Sequence, residues 1–332
     1  MILLIAQLLM ALGLILVSCE LFTNAIEWAG VRLKVGSGVV GSVLSGVGTA
    51  LPETMVPIIA IVFSSNAESH AVGIGAIAGA PFMLGTLTLF VTGLAISIYA
   101  LLGKRKRTVD ADQNVLRRDL STFLLVYLVA VLTGLIPWIW LHYVVGLSLI
   151  GAYGYYLYRT LNDIQETDAD VDPLYFARFL RAPRAHSYLI AFQVVLALAG
   201  IIGGAKWFVS SLSTLAVFAQ VSPLVLSMIL TPIATELPEK MNSVIWTGRG
   251  KDTLALGNVT GAMVFQSCFP VGIGLLFTPW HLTGTTLVSA LLVLASIGLL
   301  YLSLIWRKRL TANNLMLGGS FYALFVFYLL MA

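Results

Sequence analysis

The sequence predicts an all-α protein that crosses a membrane about ten times. Of its 332 residues, 59% are hydrophobic and only 10% carry a charge, against about 45–50% and about 25% in soluble domains. A helix of about 20 apolar residues crosses a bilayer, and the apolar runs are of that length. The composition excludes a soluble enzyme and a disordered chain, and a net charge of +4 gives little support to nucleic-acid binding.

The apolar runs predict ten spans, at 3–28, 36–64, 71–102, 120–137, 139–158, 187–211, 221–247, 254–278, 283–305 and 314–331. The second contains Pro52, and the seventh contains Pro232 and Pro238. Proline removes a helical hydrogen bond, and backbone groups freed within a bilayer need partners in the protein or in a water-filled cavity. Both spans are therefore predicted to be broken helices that line a site.

The loops predict the orientation. All of the 19 Lys and Arg residues except Lys206 and Lys240 fall in alternate loops, beginning with the loop after the first span. Cytoplasmic loops carry the excess of positive charge. With ten spans, both termini are then expected outside the cell. The short loops favour a prokaryotic inner membrane.

One hydrophilic stretch, 159–186, divides the chain into predicted halves at 1–158 and 187–332. Its alternating acidic residues resemble a calcium-binding loop. An EF-hand loop has Gly at its sixth position and Glu at its twelfth, where this stretch has Pro173 and Phe179. We expect a solvated cytoplasmic linker.

The two halves contain an internal repeat. Segment 48–53, Gly-Thr-Ala-Leu-Pro-Glu, matches segment 234–239, Ala-Thr-Glu-Leu-Pro-Glu, at an offset of 186 positions. Each half has five predicted spans, so the second half enters the membrane from the opposite face. Inverted repeats with interrupted helices at matching positions are typical of secondary transporters, which bind their substrate near the midplane.

The acidic residues of the repeat predict the substrate class. Glu53 and Glu239 are equivalent under the repeat, and carboxylates inside a membrane are costly and usually functional. Two adjacent carboxylates repel each other, and either a divalent cation or a proton relieves the repulsion. Carboxylates, hydroxyls and carbonyls are the oxygen ligands that suit Ca²⁺. The polar neighbours that supply such oxygens are Thr49, Thr235, Ser45 and Thr231.

Segments 48–53 and 234–239 resemble the two alpha-repeat motifs of the sodium/calcium exchanger family, which is part of the cation/calcium antiporter superfamily. Segments 203–209 and 257–261 are similar to that family as well. The resemblance implies a ten-helix fold with both termini outside. It also implies that Glu53 and Glu239 carry the cation with help from Thr49 and Thr235, and that spans one and six form a gating pair.

The chain departs from the family pattern at several positions. Where the family usually has Ser after the motif Thr, this chain has Ala50 and Glu236, and the usual polar motif of the following span is missing. Glu236 is therefore a candidate as a third cation ligand or as a proton carrier, since neighbouring negative charges favour protonation. Asn258 and Gln266 are candidates for secondary cation or gating contacts.

The leading hypothesis is an antiporter that exchanges Ca²⁺ for Na⁺ or H⁺ by alternating access. The alternative is a non-transporting relative that acts as a membrane cation-binding scaffold or sensor. An enzyme is not expected, because the chain has neither an H-E-x-x-H pair nor a G-x-S-x-G elbow. The expected partners are inorganic cations and the lipid bilayer, without a resident cofactor, and the oligomeric state stays open.

Overall fold

The computed structural model describes residues 2–32, 50–64, 66–162, 173–179, 186–282 and 284–331. Within these ranges the fold is all-α, as predicted, apart from one pair of two-residue strands. The helices of the first half are α1 (Ile2–Arg32), α2 (Leu51–Val62), α3 (Ala67–Met83), a π-helical turn (Leu84–Thr88), α4 (Leu89–Leu101), α5 (Gln113–Thr133) and α6 (Ile139–Asn162). They are followed by α7 (Tyr175–Phe179), α8 (Ser187–Ala219), α9 (Pro223–Thr235), α10 (Leu237–Gly248), α11 (Asp252–Phe277), α12 (Gly284–Arg307) and α13 (Ala312–Met331).

Six helical segments in the described residues are long and apolar enough to cross a membrane. They are Leu3–Ala29, Ala67–Leu101, Ser187–Ala219, Asp252–Phe277, Gly284–Arg307 and Ala312–Met331. Each coincides with a predicted span. A helix satisfies its backbone hydrogen bonds internally, which is what a bilayer requires. The protein is an integral membrane protein, and the full count of ten spans stays a prediction.

The described chain forms two compact units, and each contains parts of both predicted halves. Unit 1 comprises Met1–Val72 and Gly154–Pro223, and unit 2 comprises Gly73–Tyr153 and Leu224–Ala332. The predicted division into an N-terminal and a C-terminal half describes the repeat in the sequence. The two units are a different division of the chain, and the division into halves stays a prediction.

Unit 1 is built on the pairing of the two long helices α1 and α8. Their backbones approach closely, because a Cβ atom at Gly200 would lie 2.2 Å from the hydroxyl oxygen of Ser18. A Cβ atom at Gly204 would lie 2.9 Å from the side chain of Ile15. Small residues at such positions allow close helix packing in membranes. This is the pair, spans one and six, for which the family resemblance implies a gating role.

Part of the predicted solvated linker is packed rather than solvated. Leu174, at the start of α7, is 1% exposed and lies in an apolar cluster with Leu189 and Ile190 of α8. The backbone N–H of Tyr175 donates to Asn24 Oδ1 of α1 at 3.1 Å. Leu174 and Ala177 are therefore packed, whereas Pro173, Arg178 and Phe179 are exposed, and the linker as a whole stays a prediction. The acidic run at 163–172 lies outside the described residues.

The side chain of Gln193 connects this segment to both long helices. It lies on α8 and is fully buried. Its amide nitrogen donates to the carbonyl of Leu21 at 2.8 Å and to Asn24 Oδ1 at 3.0 Å. Its oxygen accepts the N–H of Phe176 at 3.0 Å. Three helices of unit 1 thus share one buried amide network.

Unit 2 contains the remaining long helices and the strand pair. Strands β1 (Thr108–Val109) and β2 (Leu310–Thr311) are antiparallel. Helix α3 lies directly against α9, since a Cβ atom at Gly75 would lie 2.3 Å from the carbonyl oxygen of Leu224, and one at Gly79 would lie 2.2 Å from that of Met228. The G-x-x-x-G motif of α3 is therefore a packing surface for the α9 backbone.

Two helices of unit 2 are irregular. Helix α9 ends at Thr235 and α10 begins at Leu237, so the interruption predicted within 221–247 is observed at Glu236. The π-helical turn Leu84–Thr88 lies inside the continuous helix 67–101, and no sequence signal predicted it. Such turns occur frequently at functional sites. Both irregularities supply residues to the site described next.

Candidate functional site

Glu53 is a buried carboxylate at the start of a short apolar helix. It lies in the first turn of α2 and is 5% exposed. Its helix neighbours Val56 and Ile59 are almost completely buried. A charged group in apolar surroundings is costly unless it is paired or binds an ion, and the N-terminal end of a helix favours negative charge. The role of Glu53 as a cation ligand stays a prediction.

The first turn of α2 is organised by the residues around the carboxylate. Pro52 lies in the first two positions of the helix, where the missing N–H costs nothing because it has no helical partner anyway. The N–H and hydroxyl groups of Thr54 both donate to the carbonyl of Ala50, at 3.2 Å and 2.7 Å. Pro57 has no hydrogen to donate to the carbonyl of Glu53. The carbonyl of Glu53 therefore receives no hydrogen bond from the residue four positions later.

In unit 2, the predicted hydroxyl groups of the second motif are buried and bonded along their own helix. Thr235 is fully buried, and its hydroxyl donates to the carbonyl of Thr231 at 3.0 Å. The hydroxyls of Thr231 and Ser227 lie 3.1 Å apart. Bonds of this kind leave the lone pairs of the threonine oxygens available to a cation. The role of Thr231 and Thr235 as cation ligands stays a prediction.

Glu236, the residue at the helix interruption, forms a buried ion pair. Its side chain is 1% exposed, and the ammonium of Lys240 lies 3.1 Å from Oε2. The same oxygen accepts the hydroxyl of Thr88, at 3.4 Å, from the π-helical turn. From the sequence alone, Glu236 is predicted to add a third negative charge to the site. The structure gives that charge a cationic partner on the next turn of the chain.

Two further predicted residues lie on α11. Gln266 is 1% exposed, and among the described residues its Oε1 atom has no hydrogen-bond partner. Asn258 is partly buried, and its amide nitrogen likewise has no partner within the described chain. A buried amide oxygen without a donor is a suitable ligand for a hard cation. Gln266 fits the role of a secondary cation contact better than Asn258, whose unpaired atom is a donor.

The remaining predicted residues are outside what the structure describes. Ser45 and Thr49 lie between positions 33 and 49, outside the residues that the structure describes. The backbone of Glu239 belongs to α10, but its side chain is outside the described part. Their assignment as cation ligands stays a prediction.

The lysines within predicted spans both have polar surroundings. Lys206 of α8 lines a cavity of about 750 Å³ in unit 1, together with Glu68 and Ser210. Lys240 pairs with Glu236. Their positions inside apolar runs are therefore compatible with a membrane.

Sequence reasoning missed Lys240 and Thr88. Lys240 follows Glu236 by four positions, a spacing at which opposite charges on a helix meet, so a signal was available. Thr88 is 148 positions from Glu236. The only sequence signal at Thr88 is a hydroxyl group within an apolar run. The burial of both residues depends on how α4, α9 and α10 pack.

Comparison with known proteins decides the family. Residues 3–162 and 189–332 match the family model described as sodium/calcium exchanger protein. The chain belongs to the sodium/calcium exchanger family. This confirms the resemblance that the two motifs indicated. The family consists of exchangers, in agreement with the expectation that the chain is not an enzyme.

One curated protein and two solved structures show how this chain resembles known proteins. An uncharacterized membrane protein of Methanocaldococcus jannaschii is 26% identical over 297 residues, which cover 88% of this chain and 87% of the relative. The crystal structure of the H⁺/Ca²⁺ exchanger CAX is similar with a TM-score of 0.71 and 16% identity, covering 98% of this chain and 82% of that one. A structure of the sodium-calcium exchanger NCX_Mj has a TM-score of 0.57 and 21% identity, with 98% of each chain covered. At these identities the two structures show the shared fold.

Proposed function

We propose that this protein is a secondary-active cation antiporter that exchanges Ca²⁺ for Na⁺ or H⁺ by alternating access. The observation that carries the proposal is Glu53, a carboxylate 5% exposed at the start of a helix in a chain of the sodium/calcium exchanger family. Acidic residues inside a membrane usually mark an ion pathway. The two structural relatives are named as an H⁺/Ca²⁺ exchanger and a sodium-calcium exchanger, which supports Ca²⁺ as one transported ion.

The proposed cation ligands are the carboxylates of Glu53 and Glu239. The motif repeat makes the two residues equivalent, and inverted repeats in transporters place equivalent residues at a midplane site. The proposal includes Thr49 and Thr235 as hydroxyl or carbonyl ligands. Ser45, Thr231, Asn258 and Gln266 are proposed as additional contacts, while Glu236, which pairs with Lys240, is not proposed as a ligand of the transported ion. The transported cations are substrates, and no resident cofactor is proposed.

Coupling follows from the charge of the proposed site. A ligand shifts the equilibrium between two conformations only through its different affinity for them. If two carboxylates without a cation oppose reorientation inside the bilayer, each passage requires a bound cation, and exchange results. The proposed topology has ten spans, inverted halves and both termini outside a prokaryotic inner membrane.

The test is Ca²⁺ flux in proteoliposomes, with Na⁺ and pH gradients imposed separately. Glu53→Gln and Glu239→Gln keep the side-chain volume and remove the charge, so we expect both to abolish exchange. Glu20→Gln is a matched control, because Glu20 also lies in an apolar helix but is exposed and accepts a hydrogen bond from the Tyr175 hydroxyl. It should retain exchange.

The gradients identify the counter-ion. Ca²⁺ movement driven by an imposed pH gradient without Na⁺ would assign H⁺, and movement that requires Na⁺ would assign Na⁺. Undiminished exchange by both glutamine variants would refute the proposed ligands. Binding of ⁴⁵Ca²⁺ without flux under any gradient would favour a cation-binding scaffold or sensor.

A further inference from the structure

The ammonium group of Lys240 is buried within a protein that crosses a membrane. The residue is 8% exposed. Its Nζ atom donates to Glu236 Oε2 at 3.1 Å and to the carbonyl of Pro232 at 3.3 Å. The hydroxyl of Thr88 donates to the same carboxylate oxygen at 3.4 Å. Breaking such a buried pair by removing one partner leaves an uncompensated charge, so the two residues depend on each other.

The atoms around the ammonium are those that would hold a small metal cation. They are a carboxylate oxygen and a backbone carbonyl oxygen at a helix interruption. Hard cations prefer carboxylate and carbonyl oxygens, and transporters coordinate Na⁺ with such groups at broken helices. The ammonium of lysine is a compact point charge on a flexible stem. It therefore takes the place that a free monovalent cation would have beside Glu236.

We infer that Lys240 is a tethered cation that permanently replaces a monovalent ion at Glu236 and so determines how many ions the protein binds. This inference rests on the proposed function. Together Glu236 and Lys240 add no net charge, and the two motif carboxylates, Glu53 and Glu239, carry the charge that one Ca²⁺ neutralises. The chain thus has a third acidic residue without requiring a third cationic charge from solution.

If Lys240 replaces a cation at Glu236, removing its ammonium should make the folded protein bind a cation from solution there. Lys240→Met keeps the length of the apolar stem and leaves the Glu236 carboxylate buried without its ammonium. The variant should recruit Na⁺ from solution. We expect its thermal unfolding temperature in detergent to rise more with Na⁺ concentration than that of the wild type, because a ligand that binds only the folded state stabilises it.

The double variant Glu236→Gln/Lys240→Met removes both charges. It should lose the Na⁺-dependent stabilisation that Lys240→Met gains, and it should be more stable than Lys240→Met in the absence of Na⁺. Lys206→Met is the matched control, because Lys206 is an exposed lysine in a predicted span. Its response to Na⁺ should equal that of the wild type.

Transport provides a second measurement. In proteoliposomes we expect Ca²⁺ exchange by Lys240→Met to require one more Na⁺ per cycle than the wild type, seen as a steeper dependence on Na⁺ concentration. The thermal measurement needs no transport. Wild-type protein without any Ca²⁺ flux would therefore refute the proposed function, while Na⁺-dependent stabilisation of Lys240→Met would still support the tethered cation.

Two results would overturn the inference. One is a Lys240→Met protein whose unfolding temperature responds to Na⁺ no more than that of the wild type. If Lys240→Met cannot be isolated, the decisive comparison is the double variant. A double variant that is equally impossible to isolate would show that Lys240 has a packing role that is independent of the Glu236 charge.

Discussion

Arg105 is predicted to stabilise the end of unit 2 at which α10 is followed by α11. Its guanidinium binds Asp252 through two hydrogen bonds, of 2.7 and 2.6 Å. It also donates to the carbonyl of Thr247 at 2.7 Å. The arginine therefore supplies positive charge to the C-terminal end of α10 and pairs with the carboxylate in the first turn of α11. Arg105→Ala removes all of these contacts together.

The expected loss follows from the burial of the pair. The side chains of Arg105 and Asp252 are 10% and 1% exposed. Breaking a buried pair by removing one partner costs about 3–5 kcal/mol, whereas an exposed pair contributes only about 0–1 kcal/mol. Asp252 keeps one donor, the backbone N–H of Asp110 at 2.8 Å. We therefore expect Arg105→Ala to lower the free energy of unfolding by about 3 kcal/mol, the lower end of the buried range.

Equilibrium unfolding in mixed detergent micelles, followed by tryptophan fluorescence, measures this change. The control is Arg309→Ala, at an exposed arginine in the loop after α12, which should change the free energy of unfolding little. In a double-mutant cycle, Arg105→Ala and Asp252→Ala should show strong coupling. A loss for Arg105→Ala of less than about 1 kcal/mol, the value of an exposed pair, would refute this reasoning.

Two further predictions concern packing and the connecting segment. Gly79→Ala places a methyl group 2.2 Å from a backbone carbonyl oxygen of α9 and should lower the free energy of unfolding by about 1–3 kcal/mol. Gly151→Ala, where nothing lies within 4 Å, should not destabilise the fold in the same unfolding assay. Gln193→Leu removes the amide that binds the start of α7 and should accelerate tryptic cleavage after the exposed Arg178. Val195→Leu, at an exposed position of the same helix, is its control, and equal cleavage rates would contradict the prediction.

The long apolar helices were predictable from the sequence because a bilayer allows few other structures. Runs such as 187–211 and 254–278 must form helices, since their backbone groups have no water to bind. The π-helical turn Leu84–Thr88 and the packing of α7 were not predictable. Both depend on partners distant in the chain, such as Gln193 for α7, and the local sequence carries no mark of them.

The acidic residues of the candidate site could be predicted from the sequence, but the groups that bind them could not. The repeat singled out Glu53, which the structure shows to be buried, and its role as a cation ligand stays a prediction. Glu236 was recognised as a departure from the family pattern, but Lys240 was counted only as a lysine within a span. The meeting of Glu236 with Thr88 requires the folded packing of α9 and the π-helical turn. An acidic residue in an apolar run is easy to recognise from the sequence. The groups that contact it are identified only by the structure.

The amide network around Gln193 has a mechanical consequence. It binds α1, α8 and α7 to one another within unit 1, and α7 belongs to the covalent connection between the two halves of the chain. A displacement of this connection is therefore transmitted to both long helices together. Because these bonds do not involve the peptide bond after Arg178, α7 is expected to stay bound to α1 and α8 when the chain is cleaved there.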